Sequence, residues 1–227
     1  MKQTGYSEFI IEYVNKATPG VAIYTEDTAR AVATHFGTSV EQAKKVVNVT
    51  LKRLMDRENN LLIRFDKGIY YKPKMTAFGP SKLNPMQVFI ETYIKKGMKV
   101  FGYETGPSLL NQMGLTTQIP KYRYFATNRC QRYGDHVDTK LKVILRRPLM
   151  NVNEETRPYL QLLDAIENKD RTPVDVENAQ GRLAKFVVQN NLDFKKLIAY
   201  ARRYYSKEVV WQIAELAVSM ENEPALR

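Results

Sequence analysis

The residue types that carry chemistry are sparse in this chain, and their spacing limits what they can do. Asp138-Thr139-Lys140, just before a run that reads as a strand, has the acidic-x-Lys spacing of metal-dependent nucleases, with Asp135 or Glu104 as a second carboxylate. The histidines do not extend it, because His35 falls on an early helix pattern and His136 has only Cys130, Asp135 and Asp138 as nearby ligand types. Nucleotidyl transfer needs a Gly-Ser turn followed by paired acidic residues that hold magnesium, and no such pair follows Gly106-Pro107-Ser108. Gly102, Gly106 and Gly114 bracket a short helix pattern without the lysine of a phosphate-binding loop, so they read as turn residues. No metal and no cofactor is expected, and the chain is not read as an enzyme. The alternative is a nuclease-like enzyme brought to nucleic acid by a separate binding domain.

Basic side chains give the stronger signal. The 227 residues carry a formal net charge of +11. Counted along the chain, residues 38–74 stand at +5 and residues 75–150 at +8, while the segments on either side stand at −1 each. A charge excess concentrated in this way attracts polyanions, nucleic acid first among them. An apolar fraction of 44% and a charged fraction of 26% belong to a chain that folds rather than a disordered one. The single cysteine, Cys130, rules out an intramolecular disulfide or a zinc site built on several thiolates. Met1 to Gly20 holds no apolar core of signal-peptide length, and no stretch approaches the roughly 20 apolar residues of a membrane span. A cytoplasmic protein without a membrane partner is expected.

The elements that would position the basic residues can be read from periodicity. Ser7 to Asn15 places Phe9, Ile10, Tyr13 and Val14 on one helical face and stops at Thr18-Pro19-Gly20. A second helix starts near Thr25, which is expected to cap it, carries Ala29, Val32, Ala33 and Phe36, and ends at Gly37. Thr38 with Glu41, or Ser39 with Gln42, then makes a capping box for a third helix. Along residues 40–55, Val40, Ala43, Val47, Leu51 and Leu54 fall together, and Gln42, Lys45, Asn48, Val49, Lys52 and Arg53 fall opposite. Leu61 to Phe65, the turn Asp66-Lys67-Gly68 and Ile69 to Lys72 read as a hairpin. This order is that of a winged helix-turn-helix, whose third helix enters the major groove while the hairpin meets the backbone. Ser39, Gln42, Lys45, Asn48, Val49, Lys52 and Arg53 are the candidates for groove contacts, and Arg64, Lys67 and Lys72 for phosphates.

Pro73 to Pro85 has the proline and glycine content of a connection, which divides the chain into residues 1–74 and 75–227. Asn84 and Pro85 open a helix with Val88, Phe89, Tyr93 and Ile94 on its apolar stripe. Lys99 to Phe101, Lys121 to Ala126 and Leu141 to Leu145 are strand patterns, and Thr105 is placed to cap the short helix that follows it. Arg123, Arg129, Arg132, Arg146 and Arg147, interleaved with Tyr122, Tyr124 and Tyr133, are the candidates for a second basic surface. From about residue 154 the pattern is helical, its last stripe being Val210, Ile213, Ala214 and Ala217, with Trp211 expected in the packing. The predicted class is α+β: a winged helix-turn-helix, then a mixed α/β domain that ends in helices.

One stretch carries a family likeness. Gly102-Tyr103-Glu104-Thr105-Gly106-Pro107-Ser108-Leu109, continuing through Gly114-Leu115-Thr116-Thr117-Gln118-Ile119-Pro120 to Ala126-Thr127-Asn128, resembles, together with the winged helix, the AbiEi antitoxins of type IV toxin–antitoxin (abortive infection) systems. The resemblance spans most of the chain and is most specific in residues 102–128. It implies a protein that binds inverted repeats in the double-stranded DNA of its own promoter and represses it. It also implies a C-terminal domain that counters a nucleotidyltransferase toxin without a stable complex between the two.

Overall fold

The computed structural model describes residues 5–56, 62–169 and 175–222. The chain is mixed α and β and divides into two compact units, Met1–Val88 and Phe89–Arg227. Among the described residues no helix is long and apolar enough to cross a membrane.

In the first unit, α1 (Tyr6–Lys16), β1 (Ala22–Tyr24), α2 (Thr25–Phe36) and α3 (Val40–Met55) precede a hairpin of β2 (Ile63–Asp66) and β3 (Ile69–Tyr71). The end of α2 is set by Gly37, whose φ of +65° is a left-handed conformation that a side chain would oppose. Two residues later the Ser39 hydroxyl oxygen accepts from Gln42 N at 3.2 Å and caps α3. Tyr24, not Thr25, stands at the cap position of α2; Thr25 is already helical, and its amide donates to Gly68 O at 2.9 Å. The antiparallel strand order is β1-β3-β2, with Ile23 opposite Tyr70 and Ile63 opposite Tyr71. Ile10, Val14, Val32, Val47, Leu51, Leu62 and Tyr70 are buried in one cluster beneath the helices. Val40, expected on that face, is exposed as the first residue of α3. Leu61, the expected start of the hairpin, lies outside the described residues.

The segment expected as a connection is built into this unit. Met75–Thr76 (β4) pairs with Gly79–Pro80 (β5), and the chain then buries Leu83 and Val88 against Tyr71. The division falls within α4 (Pro85–Tyr93), which starts with Asn84 Oδ1 accepting from Met86 N at 2.9 Å. A proline-rich stretch with one well-placed leucine thus forms a turn and an anchor.

In the second unit, the hairpin β6 (Lys95–Lys96) and β7 (Lys99–Val100) leads into β8 (Gly102–Thr105), α5 (Gly106–Gln112) and β9 (Arg123–Thr127). β10 (His136–Asp138) and β11 (Val143–Arg146) complete a sheet of order β10-β11-β9-β8, in which β9 and β11 run parallel and the other pairs antiparallel. α6 (Thr156–Lys169), α7 (Ala179–Gln189), α8 (Phe194–Tyr204) and α9 (Lys207–Asn222) follow. Asn153 and Thr156 exchange backbone-to-side-chain hydrogen bonds of 2.8 and 2.9 Å, which fixes where α6 begins. Leu109, Leu115, Leu162, Leu163, Leu183, Leu197 and Ile213 fill the helical core.

Two expectations for this unit are corrected. The Thr105 hydroxyl does not cap α5; it donates to Asp164 Oδ2 at 2.5 Å, beside Tyr103 Oη at 2.9 Å, while Tyr205 Oη donates to Oδ1 at 2.5 Å. On α9 the buried stripe is Val209, Ile213, Leu216 and Met220, and Trp211 is 63% exposed. Apolar residues occur all round α9, so several stripes fit its periodicity; the bulkier Leu216 and Met220 are buried, while Ala214 stays exposed and Ala217 is half-buried.

Candidate nucleic-acid interface

Burial divides α3 cleanly. Ala43, Val47, Leu51 and Leu54 are buried, while Ser39, Gln42, Lys45, Asn48, Val49, Lys52 and Arg53 are all exposed. Two interactions organise the exposed side. The Thr38 hydroxyl donates to Gln42 Oε1 at 2.7 Å, and Lys44 Nζ donates to Glu26 Oε2 at 2.9 Å. The second bond ties α3 to α2 and holds the Glu26 carboxyl below its usual range. Lys45 makes no ion pair among the described residues, so these adjacent lysines differ: one is structural, the other faces water with its charge unspent. The sequence reading gives Thr38 only a capping role; its spacing of four residues from Gln42 is the signal for the contact observed.

The hairpin turns tightly at Lys67-Gly68, where Gly68 has φ +74°, and Asp66 Oδ1 accepts from Lys67 N at 2.7 Å. The Lys67 side chain is exposed at the tip; Arg64 is exposed too, with Nε donating to Asp66 O at 3.3 Å. Lys72 is placed differently from Arg64 and Lys67. It follows β3, is half-buried, and gives an ammonium hydrogen to Asn15 O at 2.7 Å.

The five arginines of the second basic run have different surroundings. Arg123 is held by Glu104, with Nε to Oε1 at 2.8 Å and a terminal nitrogen to Oε2 at 2.5 Å, and that ion pair raises its pKa further. Gln112 also donates to the same carboxylate. Arg123 borders a depression with Lys121, Ser108 and Asn111, whereas Arg146 and Arg147 line a different one with Tyr133 and Asp135. The Arg129 guanidinium lies 3.5 Å from the centre of the Phe101 ring and donates to Thr92 O. Arg132 is exposed.

The carboxylates weighed for metal chemistry are engaged elsewhere. Glu104 holds Arg123; Asp135 holds Arg146 at 3.2 Å; Asp138 Oδ1 accepts from Lys140 N at 2.9 Å and Leu141 N at 3.0 Å, closing the β10–β11 turn. Among the described residues, no group of three histidine, cysteine or carboxylate side chains is arranged to hold a metal ion. His35 stacks on Phe9 with ring centres 4.4 Å apart, and Cys130 is free and buried.

Residues 10–189 match a family of unknown function (DUF6088). The chain belongs to this family. The DUF6088 match runs from within α1 to the last residue of α7, so it contains α3, the hairpin and the whole second-unit sheet, and leaves α8 and α9 outside. No curated protein matches the chain.

Proposed function

We propose that the first unit is a winged helix-turn-helix that binds double-stranded DNA, with α3 in the major groove and the β2–β3 hairpin as the wing. The observation that carries the reading is the division of α3, a capped helix that buries Ala43, Val47, Leu51 and Leu54 on one side and exposes Gln42, Lys45, Asn48, Val49, Lys52 and Arg53 on the other, with Glu41 the one acidic residue of its exposed side. Val49, 51% exposed, sets an apolar side chain among these donors that suits the methyl group of a thymine. The +5 charge of residues 38–74 supplies the attraction for phosphate.

On the likeness to AbiEi antitoxins, the DNA is the chain's own promoter, read as inverted repeats, and the protein is a cytoplasmic repressor. The second unit then counters a nucleotidyltransferase toxin, without forming a stable complex with it. The deciding experiment pairs a gel-shift titration on the native promoter with a growth assay against a nucleotidyltransferase toxin of the kind the likeness implies. Promoter affinity unchanged in both Gln42→Ala and Lys45→Ala would remove α3 from the groove. Growth arrest that persists with the full chain present would remove the antitoxin role.

A further inference from the structure

The second unit carries a depression of about 730 Å³, the size that holds a nucleotide, lined by Asn128, Tyr133, Asp135, Arg146, Arg147 and Leu149 among others. Its walls come from the loop after β9 and from the end of β11, both fixed by parallel pairing of those strands. Three observations there need a common reason. Tyr133 is 90% exposed, although a large aromatic ring gains most from burial, and its ring centre lies 5.7 Å from the Arg147 guanidinium carbon. Arg147 is exposed and makes no ion pair among the described residues. Arg146 spends one nitrogen on Asp135 and lies 5.3 Å from the centre of the Tyr124 ring, yet its Nε is buried without a hydrogen-bond partner. A single carboxylate thus faces two guanidinium groups in the cavity, with a free aromatic face beside them.

We propose that this depression binds single-stranded nucleic acid, with one base stacked on Tyr133 and the adjoining phosphate held by Arg147 and Arg146. The aromatic face distinguishes the site from a general anion site, since a phosphate alone has no use for it. Concavity distinguishes it from a duplex site, because a duplex keeps its bases stacked inside and only a splayed base can enter. Next to Asn128 in sequence, Arg129 lies on the Phe101 ring. The site is independent of the duplex reading of the first unit, since none of these residues lies in it.

The test uses the full chain and fluorescence anisotropy with three labelled probes: a ten-nucleotide oligouridylate, the matching oligothymidylate, and the promoter duplex. The single strands are expected to bind, with affinity falling as salt rises. Tyr133→Ala and Arg147→Ala should each weaken strand binding by about ten-fold, and Tyr133→Trp should retain it. Both positions are exposed, so the variants keep the fold, and their promoter binding serves as the check. The tighter of the two strands identifies RNA or single-stranded DNA as the source. The proposal is overturned if neither strand binds, if the double variant Tyr133→Ala/Arg147→Ala binds as the natural chain does, or if both variants lose strand and promoter binding in parallel.

Discussion

The Thr38 hydroxyl holds the Gln42 carboxamide from the residue just before the helix cap, through a bond of 2.7 Å to Oε1. That bond leaves both hydrogens of the carboxamide nitrogen, and a second lone pair on the oxygen, free to meet a base edge. Gln42→Ala should therefore cost about 1 to 3 kcal/mol at one base pair and relax selectivity there alone. Thr38→Val should cost less, roughly 0.5 to 1.5 kcal/mol, since it only unfixes the side chain that must be ordered on binding. Titration against promoters changed one base pair at a time checks both.

Lys44 and Lys45 should separate in the same assay. Lys45→Ala is expected to weaken promoter binding. Lys44→Ala removes an exposed tie to Glu26 and should lower thermal stability by no more than about 1 kcal/mol. Equal losses of DNA affinity in the two variants would mean that the tie between α2 and α3 positions the whole surface.

Lys67, at the tip of the hairpin, is expected to neutralise one phosphate. Lys67→Ala should reduce the slope of log affinity against log salt by roughly one unit on cognate and random DNA alike. A loss confined to the cognate site would show that the wing reads bases.

Leu83 is 3% exposed and packs with Val88 against Tyr71 in the segment that resembles a linker. Leu83→Ala in the full chain should destabilise the first unit by about 2 to 5 kcal/mol, seen as an earlier melting step. No change in melting would mean that residues 81–88 hang from the unit rather than complete it.

Burial holds the Asp164 carboxyl above the ordinary carboxylate range, against the three hydroxyls that favour its charged form. The unfolded chain gives up this proton at a lower pH than the folded one. Between those two values the native state holds more protons, so stability falls as pH rises and levels off above the native value. Tyr103 and Tyr205, pushed well above the usual tyrosine range chiefly by burial, stay neutral throughout. Asp164→Asn should flatten this dependence in melting curves recorded from about pH 4 to pH 8.

Much of the first unit was legible because its signals are local. Gly37, the Ser39 cap and the apolar spacing of α3 each act within one or two turns, and together they specify which face of that helix is exposed. The second unit was legible only as strand and helix patterns. The parallel pairing of β9 with β11, the burial of Asp164 beneath Thr105, and the capture of Arg123 by Glu104 join residues 19 to 59 positions apart, and spacing along the chain does not encode such meetings. The same holds for the sorting of the five arginines, since charge shows where a cation sits in sequence but not which carboxylate it will find.

Asn128 accepts from Val152 N at 2.9 Å and donates to Val152 O at 2.8 Å, through one side chain. It thereby does the work of a whole strand residue, closing a ladder rung where no strand runs. Aspartate at this position would turn the donated bond into repulsion, leucine would orphan both backbone groups, and serine would not reach across. By area Asn128 counts as exposed, so a substitution scan ranked by accessibility would file it among the freely variable positions. Selection should treat it instead as one of the least replaceable residues of the second unit, a surface position whose side chain has become part of the backbone.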